Sequence, residues 1–204
     1  MEGPALLTFA LASLLVELTP GPNMAWLAIV AVSEGRRQGL AAVVGVALGL
    51  AVIGVLAALG LGAAIAASPT LYALLRWAGI GWLLWLAYDG WRSADGAMEE
   101  VPVGWDLRRY FRRGLITNLL NPKAAIFYIA VLPGFTAPEE AILPQVILLT
   151  VVFVAVATSV HAAIVVLADR ARVFLTRPEQ VRLARRVLSV TLALVAVWFW
   201  WETA

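Results

Sequence analysis

Residues 39–67 carry no charged side chain. A helix crosses the hydrocarbon core of a bilayer with about 20 mostly apolar residues. This run therefore predicts a membrane-spanning helix, and five more candidates follow along the chain. They cover about 4–32, interrupted at Pro20–Pro22, then 70–91, 114–134, 142–168 and 187–201. The second and fifth are long enough to tilt. The chain is 62% hydrophobic and 14% charged, where soluble domains run near 45–50% and about 25%. There is no cysteine, which excludes a disulfide framework or a thiolate metal site. The N-terminus has no basic region before its apolar run, so a signal peptide is not expected.

Charge alternates between the connections. Thirteen of the fifteen basic residues fall in three of them: Arg36 and Arg37; Arg92, Arg108, Arg109, Arg112 and Arg113; Arg170, Arg172, Arg177, Arg182, Arg185 and Arg186. Positive residues stay on the cytoplasmic side, which predicts six spans with both termini outside. Trp198, Phe199, Trp200 and Trp201 suit the outer aromatic belt. Trp105, Tyr110 and Phe111 among arginines read either as a short interfacial helix or as a solvated linker.

Two of the spans are broken. The first contains Glu17-Leu18-Thr19-Pro20-Gly21-Pro22-Asn23, the fourth Asn118-Leu119-Leu120-Asn121-Pro122-Lys123. Pro20 and Pro122 are 102 positions apart, half the length of the chain. Each half then begins with an interrupted span and continues with two intact ones. Three spans per half is odd, so the second half inserts upside down. Such paired interruptions are the best sequence pointer to a transport site. The expected fold is an all-α membrane protein of two inverted three-helix repeats in one domain over 1–204. Repeat one covers about 1–92, a basic cytoplasmic linker about 93–113, and repeat two about 114–204.

Proline removes a backbone donor and clashes with the preceding turn. The freed groups cannot face lipid, so protein or water must shelter them. Helix fragments that start at a break attract anions, and those that end there attract cations. Glu17 lies 13 positions after Pro4, about 20 Å along a helix. Lys123 lies 9 positions after Gly114, about 14 Å. Charges at that depth face a partner or a cavity. Glu17 and Lys123 are therefore expected on one central cavity, as an ion pair or bridged by a solute. Asp89, beside Arg92, and His161, the only histidine, are further candidates for proton coupling. Each also has a plainer reading, as an interfacial ion pair and a packing residue. Ala41, Gly45 and Gly49, then Gly54, Ala58 and Gly62, place small residues every four positions. They predict close helix contact, within the chain, between copies, or at a sliding seam.

The stretches "ELTPGPN", "SEGRRQGLAAVVGVALGL" (33–50), "LAYDGWRS" (86–93) and "FRRGLITNLLNPKAAIFYIAVLPGF" (111–135) resemble the signatures of the lysine-exporter (LysE/RhtB) family of translocators. The resemblance implies export of amino acids or related metabolites across a bacterial cytoplasmic membrane, coupling to protons, and homodimers. It places the family's motif residues on Thr19, Pro20, Gly21, Pro22 and Asn23, and on Asn121, Pro122 and Lys123. Glu17 and Asp89 depart from the family pattern.

The expected activity is secondary export by alternating access. The solute carboxylate would meet Lys123, and its ammonium Glu17 or nearby carbonyls. Protonation of Glu17 or Asp89 on the outward side would release it. No enzyme, cofactor, nucleic-acid partner or metal site is expected, and no Walker-type glycine loop is present. The expected partners are lipid, a small solute and protons. A passive channel lined by the broken helices, or export of a metal or another metabolite on the same architecture, are the alternatives.

Overall fold

The computed structural model describes residues 3–19, 21–60, 68–93, 103–137, 139–172 and 178–202. They are helical throughout, with no strand among them. Helix α1 spans Gly3–Leu18, α2 Pro22–Glu34, α3 Arg36–Ala58 and α4 Pro69–Ser93. Helix α5 spans Val103–Leu119, α6 Pro122–Ile126, α7 Ile142–Arg172 and α8 Pro178–Glu202. Between α6 and α7 the chain winds as a π-turn, Phe127–Val131, and a 3-10 turn, Leu132–Phe135. Pro133 within the latter lacks the amide that a regular helix would use.

Helices α3 and α7 are each long and apolar enough to cross a membrane, and two bent pairs raise the number to four. Pro4–Leu18 meets Pro22–Glu34 at 63°, and Leu107–Leu119 meets Lys123–Phe135 at 50°. The third and sixth expected spans form 25-residue helices, α4 and α8. They include Arg76, Asp89 and Arg92, and Glu179, Arg182, Arg185 and Arg186, and fall outside that set of four. Large apolar side chains point outward along the bundle, Leu15, Val151 and Trp201 among them. Such a surface belongs in lipid rather than water.

Helix α5 starts well before the expected boundary at 114. The arginines assigned to a linker share one helix with Thr117 and Asn118. Gly114 does not end it, because the glycine packs directly on the Ala42 carbonyl of α3. Gly45 returns the contact: a Cβ there would collide with the Phe111 carbonyl. At Gly49 a Cβ would come within 2.9 Å of Asn118 Cβ. The small-residue face of α3 is thus an internal seam at these positions. Gly62 lies outside the described residues.

The α2–α3 corner is made by Gly35, whose φ of 98° suits glycine. Its amide reaches the carbonyls of Val30 and Ala31. The start of α3 meets the end of α7 where Gly39 faces Val165. Asp89 of α4 reaches Arg113 of α5, and Trp91 of α4 stacks under Arg186 of α8. These contacts gather the basic helix ends at one end of the molecule. Arg76 donates to the Trp200 carbonyl at the other.

Two apolar cores result. One joins Trp26, Leu27, Val30, Val43, Leu83, Leu86, Val165 and Leu192. The other joins Phe9, Val46, Leu50, Phe127, Tyr128, Leu149 and Phe153, with Phe127 stacked on Phe153 at 3.8 Å. A buried polar layer is contributed by α1–α2, α5–α6 and α7, with Glu17, Asn23, Asn118, Asn121 and His161 in it.

Candidate functional site

The polar layer surrounds one cavity lined by Glu17, Gly21, Asn23, Met24, Leu50, Asn118, Asn121, Lys123, Ala124 and His161. Both breaks contribute to it. Its free space is about 10 Å³, room for about one water molecule. An amino acid does not fit this space in the present conformation.

At the first break α1 stops at Leu18, and its last carbonyls have no helical partner. The Thr19 carbonyl accepts a 2.7 Å bond from Lys123 Nζ of the second break. The Lys123 side chain runs over Gly21, where a Cβ would lie 3.3 Å from Lys123 Cδ. Pro22 begins α2, a position where its fixed φ and missing donor cost nothing. At the second break Asn121 caps α6 by accepting the Lys123 amide at 3.0 Å.

Asn23 Nδ2 donates to Asn118 Oδ1 at 2.8 Å, joining the two halves at the cavity wall. Both are buried, and Asn23 Oδ1 and Asn118 Nδ2 have no protein partner. Whichever way each amide is turned, one bond between two amides leaves one free oxygen and one free NH₂ group. That pair is complementary to an ammonium and a carboxylate.

Glu17 does not pair with Lys123. Its Oε2 lies 3.2 Å from His161 Nε2 on α7. Glu17 is 6% exposed and His161 1%. The lone histidine, read from sequence as more typical of packing, therefore stands inside the cavity. Asp89 does not: it binds Arg113 at 2.8 Å and Arg109 at 3.4 Å among the basic helix ends. The Thr19 hydroxyl turns back to the Leu15 carbonyl at 3.1 Å. Pro20 lies outside the described residues. Met24, Leu50 and Ala124 were not singled out in sequence. Leu50 also accepts a bond from Tyr128 at 3.0 Å through its carbonyl.

A family model described as LysE type translocator matches residues 14–203. The chain belongs to that translocator family. The homoserine/homoserine lactone efflux protein of Salmonella typhimurium is 30% identical over 188 residues, 92% of this chain and 91% of that protein. A leucine efflux protein of the same species is 33% identical over 144 residues, 66% of each chain. An uncharacterized membrane protein of Vibrio cholerae is 30% identical over 152 residues, 74% of each. No solved structure matches significantly. The family places the chain among integral membrane translocators, not among enzymes.

Proposed function

We propose that this LysE type translocator is a secondary-active exporter of amino acids or related small zwitterions, coupled to proton entry and working by alternating access. The observation that carries the reading is a cavity lined from both helix breaks, with cation, carboxylate and free amide groups on its wall. The efflux names of the relatives support the solute class.

The proposed topology is six spans in two inverted repeats over one domain, with α4 and α8 as the third and sixth. The gathering of basic helix ends supports an orientation with both termini outside and those ends in the cytoplasm. The proposed location is a bacterial cytoplasmic membrane, and the family resemblance suggests a homodimer.

Two bonds hold the halves together across the cavity: Lys123 to the Thr19 carbonyl and Asn23 to Asn118. A zwitterion can replace both. Its carboxylate takes Lys123 and the Asn118 amide, while its ammonium takes Glu17, the Asn23 oxygen or the Thr19 carbonyl. The halves then part without leaving buried polar groups unpaired, a loss that would otherwise cost about 1–3 kcal/mol each.

Purified chain in proteoliposomes should exchange labelled homoserine or leucine for unlabelled solute on the other side. Flux should saturate, accelerate with solute in trans, and respond to an imposed pH gradient. Failure with a full amino-acid panel would remove the solute class. Non-saturating flux without trans-stimulation would indicate a pore.

A further inference from the structure

The contact between Glu17 and His161 joins two titratable groups that the apolar cores have almost wholly removed from water. A carboxylate in that setting needs a cation or a proton. Imidazole is a cation only while it carries an extra proton. The groups facing the pair are few among the described residues. From α6 comes Lys123, whose ammonium is engaged by the Thr19 carbonyl. Helix α2 supplies Asn23 and α5 supplies Asn118, both neutral, while α3 supplies Leu50. The Tyr128 hydroxyl donates to the Leu50 carbonyl. Among the described residues no further acid lines the cavity.

The other ring nitrogen of His161, Nδ1, is buried without a hydrogen-bond partner. A histidine kept for packing would have its second nitrogen tied down. Here one nitrogen meets the carboxylate and the other is left free to gain or lose a proton.

We infer that Glu17 and His161 together form the proton-binding element of the transporter, with the proton and the solute ammonium competing for the Glu17 carboxylate. This rests on the exporter reading above and assigns its coupling site. With His161 protonated, Glu17 is occupied by the imidazolium. When a solute ammonium takes Glu17, His161 gives up its proton, so one positive charge enters the site as another leaves. Solute and proton then exclude each other, which is the requirement for antiport. Lys123 holds the carboxylate end.

The test measures leucine and homoserine exchange in proteoliposomes of wild type, His161→Gln and Glu17→Gln. Wild-type apparent KM should rise as pH falls from about 8 to about 6, approaching about tenfold per pH unit at the limit of one-for-one competition. Whatever its basal exchange rate, His161→Gln should lose this pH dependence of KM and lose accumulation driven by a pH gradient. Glu17→Gln should raise KM at every pH and flatten the profile. A pH-independent wild-type KM overturns the assignment whatever the variants do. So does His161→Gln that still accumulates solute down a proton gradient with the wild-type profile.

Failure of the exporter reading looks different, because wild type would then exchange no amino acid. The pair is tested in that case by melting of the purified chain. A proton held by the Glu17–His161 contact should make the pH dependence of the wild-type midpoint differ from that of His161→Gln, which lacks the imidazole. A wild-type pH dependence equal to the variant's overturns the proton site.

Discussion

The two breaks solve the same problem with different means. The second is self-sufficient: Asn121 caps α6 with its own side chain. The first has no side-chain cap, since Gly21 stands at that position in extended backbone, φ −157° and ψ 174°. Its exposed carbonyl at Thr19 is satisfied by Lys123, borrowed from the other break. Below the breaks the contrast continues. Helix α2 is regular for 13 residues, while α6 gives way after five to π and 3-10 winding. One half thus supplies a capped helix start and a cation that reaches across to the other break. The other supplies backbone acceptors and, through Glu17, the acid. The two breaks thus carry complementary chemistry, which supports the proposed site for a two-headed solute.

The largest effect is expected where the halves depend on each other. Lys123→Met removes the donor to the Thr19 carbonyl and the proposed carboxylate anchor. Charge-assisted hydrogen bonds contribute about 1.5–3 kcal/mol, which corresponds to a loss of roughly ten- to hundredfold in transport efficiency. Counterflow of labelled homoserine or leucine measures it. Wild-type flux in this variant would reduce Lys123 to a packing role and erase the proposed division of labour.

A smaller effect separates the two breaks directly. Asn121→Ala removes a side-chain cap and should cost about 1 kcal/mol of stability. Gly21→Ala removes no such bond, and the new Cβ meets only the flexible Lys123 stem at 3.3 Å. Its melting midpoint should fall by less than that of Asn121→Ala in the same detergent. The reverse order would show that the first break, not the second, is held by its own local geometry.

Much of this was legible in sequence because the relevant signals are local or summed over long runs. The uncharged runs predicted α3 and α7, and the prolines predicted both bends. Carbonyls stranded at depth predicted a sheltered polar space containing Asn23, Asn118, Asn121 and Lys123. The start of α5 was not legible, because tertiary packing of Gly114 on α3 overrides the helix-weakening tendency of glycine. The partner of Glu17 was not legible either. Pairing by opposite formal charge pointed to Lys123, whereas the fold brings α7 against α1 and puts His161 there. The available signal was the position of His161 in an otherwise uncharged span, since an ionisable side chain at membrane depth is a functional candidate by default. Asp89 carried a related lesson: an ion pair with arginine was legible, but its partners, Arg109 and Arg113, come from the next helix and not from the adjacent Arg92.

The smallest effect is expected at a motif residue. Thr19 stands in the shared signature and contributes to the site, but through its backbone carbonyl. Its hydroxyl is spent within α1 on the Leu15 carbonyl, and the side chain is exposed. Valine has nearly the same shape and the same β-branching. Thr19→Val should therefore leave the Lys123 contact in place, change stability by no more than about 0.5 kcal/mol, and keep exchange within about twofold of wild type. Paired with Lys123→Met, it separates the two ends of one hydrogen bond: the side-chain donor is essential, and the side chain of the acceptor residue is not. A Thr19→Val variant as impaired as Lys123→Met would mean that the hydroxyl itself meets the solute. The first break would then supply a side-chain ligand as well as a bare carbonyl, and the asymmetry between the halves would largely disappear.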